Sequence, residues 1–331
     1  MAGVNWVVVV PTNRPQKMRD FIDAWKPLFT KHKVHLVIME DGPERSDFGK
    51  LDNFTHLCWE DMTTEFIPQR TDMVRSFAFY YVYREWHRPE YWNYDQYVLT
   101  LDDDVTPDGD IFDAYERAFQ KGAPFSKYLD VGSLTTSGVN MRGFPYKDRK
   151  KAEVAVQYGG WHGTLDYDAA TQLSNPLPRQ KFKEVVIPVP EGIPTTCCIM
   201  NTAWHIRYTP IMWQLPMLPD RYNRIGDIWS GLFIKKTLDH LGAVMMINGE
   251  ASVVHDRASD PYNSLIKEAP SVWLNDNLWE KLQEPRGEML TAYKFVTDDA
   301  YNFFRVHDKG YAELFKRARD EWLDLYKPNY G

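Results

Sequence analysis

Three adjacent aspartates, Asp102, Asp103 and Asp104, are the residues whose type and spacing point most directly to chemistry. They follow a short apolar run at residues 96–101, which predicts a buried strand. Neighbouring carboxylates repel one another, and the alternation of an extended chain puts Asp102 and Asp104 on one side. Mg²⁺ and Mn²⁺ prefer oxygen ligands and bind through carboxylates together with substrate phosphates. The triplet therefore indicates a metal that bridges to a diphosphate, with a solvated acidic turn as the alternative.

A histidine far along the chain offers a further metal ligand. His255 follows two short apolar runs, at 244–247 and 251–254. An imidazole at that strand end could complete a metal site with Asp104, whereas a lone histidine is also common in a structural role.

Two more carboxylates lie where predicted elements begin or end. Asp41 follows the apolar run at 34–39 and could accept hydrogen bonds from a ligand or serve as a turn residue. Asp227 begins a predicted helix at 227–241, where an acidic side chain complements the helix dipole or faces a reacting group.

The elements that must position these residues alternate between strands and helices. Apolar runs at 4–10, 34–39 and 96–101 predict strands, and helical spacing predicts helices at 15–29 and 73–86. This alternation predicts an α/β sheet flanked by helices. Ligands of such sheets sit at the carboxyl ends of the strands, so three clusters should line one crevice. These clusters are Thr12-Asn13-Arg14, Glu40-Asp41 and the aspartate triplet.

Composition limits the class of protein. The chain has 331 residues, of which 44% are apolar, and no apolar stretch reaches the ~18 residues of a membrane span. The net charge of −7 does not indicate a nucleic-acid surface.

The chain has three cysteines, Cys58, Cys197 and Cys198. An odd number with two adjacent members is not a disulfide pattern, which favours reduced thiols and a cytoplasmic location. The adjacent pair is expected to be buried as small apolar residues rather than to act as a nucleophile.

The pattern changes along the second half. Residues 125–219 predict mostly short elements. The helix at 227–241 ends at Gly242, and a strand is expected at 244–247. Further helices are expected at 274–282, 287–304 and 310–326. We therefore predict a catalytic domain at 1–270 and a helical C-terminal extension at 271–331.

Seven motifs occur in one order along most of the chain. They are Asp102-Asp103-Asp104, Arg142-Gly143-Phe144-Pro145, Asp166-Tyr167-Asp168-Ala169-Ala170-Thr171-Gln172-Leu173, Met200-Asn201-Thr202-Ala203, Asp227-Ile228-Trp229-Ser230-Gly231, Asp239-His240-Leu241-Gly242 and His255-Asp256-Arg257-Ala258-Ser259-Asp260-Pro261. Each motif is weak alone, but the ordered set resembles the reversibly glycosylated polypeptides, the UDP-arabinopyranose mutase family.

The resemblance implies a GT-A-like, Rossmann-like mixed sheet and a cation, Mn²⁺ or Mg²⁺, at the triplet. It implies interconversion of UDP-arabinopyranose and UDP-arabinofuranose with transient self-glycosylation, and it implies oligomers. Arg142 matches the family's glycosylated arginine, with Phe144 in place of a tyrosine. Gly226 stands where the family has the first of two acids, and Asp227 keeps the second.

Guanidinium is protonated at ordinary pH and is a poor nucleophile. A nearby carboxylate, Asp227 or Asp166, could instead take the proton or act as the nucleophile. The resulting candidate catalytic residues are Arg142, Asp227 and Asp166. The candidate metal ligands are Asp102, Asp104 and His255, and the candidate nucleotide-binding residues are Pro11, Thr12, Arg14, Asp41, Asp102 and Asp103.

Three functions remain open at this point. The first is a UDP-sugar mutase. The second is a metal-dependent glycosyltransferase that moves a sugar from a UDP-sugar to a protein, a glycan or a modified nucleic-acid base. The third is a non-catalytic sugar-nucleotide-binding subunit of a complex. The fold alone does not choose among them.

Overall fold

The structure is a computed structural model in which one large sheet is the central feature. It describes residues 6–64, 67, 69–71, 73–88, 95–135, 139–218, 221–257 and 260–327. The strands are β1 (Trp6–Thr12), β2 (His35–Glu40), β3 (Phe54–Leu57), β4 (Tyr97–Leu101), β5 (Val105–Pro107), β6 (Ala123–Pro124), β7 (Lys151–Ala152), β8 (Val154–Gly163), β9 (Val186–Pro188), β10 (Asn201–His205) and β11 (Val244–His255). The helices are α1 (Pro15–Lys31), α2 (Val74–Trp86), α3 (Ile111–Lys121), α4 (Ala169–Ser174), α5 (Gly226–Leu241), α6 (Pro261–Glu268), α7 (Val272–Lys281), α8 (Met289–His307) and α9 (Lys309–Asp324).

The sheet is mixed, and most of its strands point the same way. The order is β3-β2-β1-β4-β10-β8-β11-β5, with β9 paired to β11. β1, β2, β3 and β4 are mutually parallel. β10 runs antiparallel to both β4 and β8, and β8 is parallel to β11. The carboxyl ends of β1, β2, β4, β8 and β11 therefore meet at one edge.

Both faces of the sheet are covered, because alternate residues of each strand pack into different clusters. In β1, Val7 and Val9 face the cluster that includes α2, α5 and the C-terminal helices, whereas Trp6, Val8 and Val10 face α1 and α3. Apolar residues on both sides of a strand are typical of buried parallel sheets.

The predicted α/β sheet flanked by helices, with helices at the C-terminal end, is confirmed. Strands β1, β2 and β4 and helices α1, α2 and α5 lie within a few residues of their predicted bounds. Gly242 ends α5 with a positive φ of 66°, as a glycine C-cap does. The domain boundary near 270 stays a prediction, and α8 packs directly on α5.

One expectation about the strands is wrong in detail. β11 is one strand of 12 residues rather than a short run at 244–247, because a register shift between Asn248 and Val253 carries it through the polar residues. The middle segment holds mostly short elements, as expected, together with β8, a strand of 10 residues. No helix in the described part of the chain is long and apolar enough to cross a membrane.

Candidate active site

A cavity of about 420 Å³ opens at the carboxyl edge of the sheet. The ends of β1, β2, β4 and β11 reach it, together with the first turn of α5 and the segment that precedes β10. The predicted residues that line it are Pro11, Thr12, Arg14, Asp41, Asp102, Asp103, Asp104, Asp166, Asp227 and His255. The chain topology thus brings ten of the eleven predicted site residues together, and their roles in binding and catalysis stay predictions.

The aspartate triplet is a turn and not an extended continuation of β4. The amide N–H of Val105 donates to the carbonyl of Asp102 at 3.4 Å, which closes a turn between β4 and β5. The expected side alternation therefore does not apply, although Asp102 and Asp104 both line the cavity. The next helix, α3, is capped by Asp110, which accepts from the N–H of Asp113.

The carboxylate of Asp102 is held in place by a buried arginine, Arg75. Nη2 of Arg75 donates to Oδ1 of Asp102 at 2.7 Å, while Nη1 donates to Oγ1 of Thr100 and to the carbonyl of Ile199. Charge-assisted hydrogen bonds of this kind fix a carboxylate in place. Arg75 therefore positions Asp102 at the cavity floor.

Asp103 is engaged within the protein. Its Oδ2 accepts from Oγ1 of Thr12 at 2.6 Å and from Nε of Arg14 at 3.3 Å, and its Oδ1 accepts from Nη2 of Arg14. Burial raises the pKa of Asp103 even though Thr12 and Arg14 hydrogen-bond to it. Both oxygens serve to hold Thr12 and Arg14, which favours a positioning role over direct nucleotide binding.

Asp104 has one oxygen bound by arginines and one without a partner. Oδ2 accepts from Nη2 of Arg14 at 3.0 Å and from Nη1 of Arg257 at 3.3 Å. Oδ1 is buried and has no hydrogen-bond partner among the described residues. Burial raises the pKa of Asp104, but the charge and hydrogen bond of Arg14 together with the hydrogen bond of Arg257 outweigh that effect, so the pKa lies below its usual value.

His255 makes a hydrogen bond of the kind that orients metal-ligating histidines. Its Nδ1 lies 3.0 Å from the carbonyl of Thr164. A carbonyl only accepts, so Nδ1 is the donor in this hydrogen bond, and Nε2 is the ring nitrogen that could bind a metal. Metal-ligating histidines are oriented in this way. Oδ1 of Asp104, which has no hydrogen-bond partner among the described residues, and this hydrogen bond of His255 both fit a divalent cation.

The ligand atoms of Asp102, Asp104 and His255 do not form a set that lies within 4.8 Å of one another, whereas another group of side chains does. In the described residues, one set of three brings its ligand atoms within 4.8 Å of one another, and it is His32, Asp110 and Asp113. Nζ of Lys31 already bonds to both of these aspartates, at 2.6 and 3.1 Å. A cation at the triplet would therefore need the site to contract or water to complete its ligands.

Asp41 is a cavity residue with one oxygen in use. Its Oδ1 accepts from Nε1 of Trp59 at 2.7 Å and from the N–H of Arg70 at 2.8 Å. These bonds hold the carboxylate at the end of β2, beside the predicted nucleotide crevice.

A second group of charged side chains, Asp166, Arg224 and Asp227, also lines the cavity. Nη2 of Arg224 donates to Oδ1 of Asp166 at 2.7 Å, and its Nε donates to Oε1 of Glu268 at 3.0 Å. Arg224 has a φ of 105°, which a non-glycine residue rarely adopts. Asp227 lies in the first turn of α5 and accepts from the N–H of Ile228 at 2.9 Å.

Two partly buried groups, the Tyr158 hydroxyl and the Cys198 thiol, lie near both Asp166 and Asp227. Burial is the main cause that raises the pKa of the Tyr158 hydroxyl and of the Cys198 thiol, and the charges of Asp227 and Asp166 raise both further. Burial raises the pKa of Cys197 to about 12. These thiols stay protonated, in agreement with the expected apolar role.

Arg142 lies away from the other predicted site residues. It is exposed and does not line the cavity. The preceding residue, Met141, donates its N–H to Asp130, which begins a short turn of helix that contacts β9. β9 pairs with residues Met246 to Asn248 of β11, whereas the cavity lies at the other end of that strand, roughly 20 Å away. The structure thus does not place Arg142 in the lining of the cavity, and its role at the sugar stays a prediction.

Sequence reasoning missed the cations of the cavity. Arg75, Arg224, Arg257 and Lys267 also line it. The sequence signal for Arg257 is its place inside the motif that begins at His255, and Arg224 lies just before the motif that begins at Asp227. Arg75 lies in the first turn of an apolar helix, and nothing in its local sequence distinguishes it.

The geometry defines an α/β protein with a cavity at the carboxyl edge of its sheet that is lined by both carboxylates and cationic side chains. Residues 4–288 match the model of the family described as reversibly glycosylated polypeptide, and the chain belongs to that family.

Named relatives agree with this assignment. Probable UDP-arabinopyranose mutase 1 of Pisum sativum is 26% identical over 333 residues, covering 95% of this chain and 83% of the relative. UDP-arabinopyranose mutase 1 of Arabidopsis thaliana is 26% identical and covers 82% of this chain and 76% of the relative. The prediction that this chain is an enzyme similar to the UDP-arabinopyranose mutases is confirmed by these relatives.

Solved structures are more distant. The mannosyltransferase PcManGT from Pyrobaculum calidifontis, in complex with GDP-Man and Mn²⁺, is 12% identical with a TM-score of 0.42, over 98% of this chain and 81% of that chain. S. aureus TarS 1-349 is 11% identical with a TM-score of 0.43, over 91% of this chain and 73% of that chain. Similarity at this level carries no residue role to this chain.

Proposed function

We propose that this chain is a UDP-sugar mutase that interconverts UDP-arabinopyranose and UDP-arabinofuranose. One observation carries the proposal: a single cavity combines the aspartate triplet with two separate carboxylates, Asp166 and Asp227. The relatives named as UDP-arabinopyranose mutases support the choice of sugar.

The nucleotide would occupy the strand-end clusters. Asp41 accepts a hydrogen bond from the uridine, and Pro11 and Thr12 lie beside it at the end of β1. Arg14 faces the diphosphate, since guanidinium matches phosphate oxygens in pairs. Asp102, Asp104 and His255 would hold a divalent cation, Mn²⁺ or Mg²⁺. When bound, that cation would stabilise the charge of the departing diphosphate.

The sugar would lie between Asp166 and Asp227. The Asp227 carboxylate attacks C1 while the bond from C1 to the diphosphate oxygen breaks, and the bonding electrons leave with UDP. The glycosyl group is then an ester of Asp227. Arg142 lies outside the cavity, so in this proposal a carboxylate takes the place of the arginine as the transient acceptor.

Ring contraction takes place on this glycosyl ester. The bond from C1 to O5 breaks, O4 bonds to C1, and the proton of the 4-hydroxyl moves to O5. Asp166 can carry that proton, because a positioned carboxylate serves as base and then as acid. A diphosphate oxygen of UDP then attacks C1, releases Asp227 and gives the furanose nucleotide. Atoms and charge balance, and no co-reactant is consumed.

Product analysis tests the function. The protein is incubated with UDP-arabinopyranose and Mn²⁺ without any acceptor, and the nucleotide sugars are separated by chromatography. An equilibrating UDP-arabinofuranose product is expected, and EDTA should suppress it. Absence of the furanose under these conditions would contradict the proposal.

A glycosyltransferase is the second candidate, favoured by the half-exposed side chain of Asp166. Exposure at the sugar end leaves room for an acceptor hydroxyl. The same incubation separates the two functions, because a transferase would consume UDP-arabinopyranose only when an acceptor is added and would release UDP.

A further inference from the structure

The aspartate triplet is already neutralised by the protein's own arginines. Arg75 bonds to Asp102, Arg14 bonds to Asp103 and Asp104, and Arg257 bonds to Asp104. The repulsion among the three carboxylates therefore does not by itself demand a metal ion.

These arginines differ in how firmly they are held. The Arg75 side chain is 3% exposed and has two further partners in the protein, Thr100 and Ile199. The side chains of Arg14 and Arg257 are 33% and 64% exposed. Arg75 is therefore fixed at the bottom of the cavity. Arg14 is also held by Asp103, so it can exchange its bond to Asp104 for one to a ligand while it keeps that partner. Arg257, the most exposed of the three, can turn away from Asp104.

A divalent cation at Asp104 would compete with those two guanidiniums. Arg14 and Arg257 both bond to the same oxygen, Oδ2 of Asp104. A metal ion beside them would meet two like charges in a partly buried site, where screening by solvent is weak. A diphosphate would give each guanidinium a new pair of anionic oxygens.

We propose that Arg14 and Arg257 bind Asp104 before the ligand arrives and then transfer to its diphosphate, so that the divalent cation and the nucleoside diphosphate bind cooperatively. Arg257 is thereby assigned as a diphosphate-binding residue. This inference rests on the proposed function in so far as the ligand is a metal–diphosphate complex. By linkage, each ligand raises the affinity of the other by the same factor.

The test measures Mn²⁺ binding from the electron paramagnetic resonance signal of the free ion, with and without saturating UDP. For the wild type, UDP should tighten Mn²⁺ binding about tenfold or more. Arg257→Gln removes one competing charge, so it should bind Mn²⁺ alone more tightly than the wild type. It should also bind UDP more weakly, and its coupling factor should fall.

The control is Arg117→Gln. The Arg117 side chain is 63% exposed and pairs with Glu250 at 3.0 Å, so it matches Arg257 in exposure and pairing but does not line the cavity. It should behave as the wild type. Arg257→Lys keeps the positive charge but loses the planar guanidinium with its paired donors. In the absence of UDP it should bind Mn²⁺ as weakly as the wild type does, and its coupling factor should fall in part. This variant also provides a test if Arg257→Gln does not fold.

The inference is overturned if Arg257→Gln and Arg117→Gln show the same Mn²⁺ affinity without UDP and the same coupling, or if wild type binds no Mn²⁺ in either condition. Coupling that depends on Arg257 without any furanose product would leave the inference standing and refute the mutase. Furanose formation together with unchanged coupling in Arg257→Gln would support the mutase and overturn the inference about Arg257.

Discussion

Asp104 differs from an ordinary acidic turn residue in having a buried carboxylate oxygen that nothing in the described structure satisfies. We expect Asp104→Asn to weaken UDP binding in Mn²⁺, since the amide keeps the size but loses the charge that a cation needs. A hydrogen bond to a charged group is worth about 1.5–3 kcal/mol, so the Kd should rise roughly tenfold or more. Calorimetry in Mn²⁺ and in EDTA measures the effect.

The control for this prediction is Asp20→Asn, which alters an exposed carboxylate on α1 that accepts a hydrogen bond from Gln16. It should leave both titrations unchanged. Equal UDP affinity with and without metal, in the wild type and in Asp104→Asn alike, would refute a metal role for Asp104.

Because Arg142 does not line the cavity, we expect covalent labelling by the sugar to depend on Asp227 and not on Arg142. With UDP-arabinopyranose labelled in the sugar, Arg142→Ala should take up label as the wild type does, because Arg142 does not line the cavity. Asp227→Asn should lose the label, and excess UDP should release it from the other two proteins. Loss of label in Arg142→Ala with retention in Asp227→Asn would restore the role that the family resemblance implies for the arginine.

At the residue scale, the sequence predicts the acids of the site better than their partners. Acids at strand ends form a local pattern, so the triplet and Asp41 could be found directly. Their arginine partners are distant in sequence: Arg75 lies 27 residues from Asp102, and Arg257 lies 153 residues from Asp104. Only the sheet order brings those charges together.

At the element scale, strands β1, β2 and β4 of the parallel half are predictable from the sequence, but β10 is not. β10 begins with buried polar residues, Asn201 and Thr202, which lack the apolar signal of a strand. Asn201 donates from Nδ2 to the carbonyls of Gly160 and Ala251, which satisfies it between β8 and β11. Buried polar groups are stable when they are hydrogen-bonded, and that compensation is visible only in three dimensions.

Helix α5 packs closely, at Gly231, against the backbone of Thr196 and Cys197, next to the residues that line the cavity. A Cβ on Gly231 would lie 2.4 Å from the N atom of Cys197 and 2.8 Å from the carbonyl carbon of Thr196. Gly231→Ala must therefore displace the backbone beside Cys198, which lines the cavity. We expect a loss of stability of about 1–3 kcal/mol, as for overpacked cores, together with weaker UDP binding. Thermal unfolding and calorimetry measure the two effects.

Gly242→Ala, at the other end of the same helix, is the matched control. Gly242 has a φ of 66°, and a Cβ at this position would meet no described neighbour within 4 Å, so the cost is backbone strain of about 1–2 kcal/mol alone. UDP binding should be unchanged. If Gly231→Ala lowers stability without changing UDP affinity, the link between α5 packing and the cavity is wrong.

At the scale of the whole molecule, the C-terminal helices belong to the main core. Trp229 of α5 stacks on Phe304 of α8 with ring centroids 4.8 Å apart. Nε1 of Trp322, in α9, donates to the carbonyl of Pro210 at 2.8 Å. Apolar residues of α2, α5, α8 and α9 form one continuous cluster. The sequence predicts these helices from their apolar faces, but only the structure shows which surface they cover.

This shared core predicts that residues 1–270 do not fold without the helices that follow. Val296, Phe304, Phe315 and Trp322 are fully buried, and burying each such side chain contributes about 1.5–3 kcal/mol. The four together supply about 6–12 kcal/mol, which is comparable to the whole stability of a typical protein at about 5–15 kcal/mol. We expect the full chain to unfold in a single transition, by near- and far-ultraviolet circular dichroism alike. A 1–270 fragment should lack the near-ultraviolet signal and should not bind UDP. A monomeric fragment that keeps both properties would instead show that the boundary near 270 separates an independent domain from an appended one.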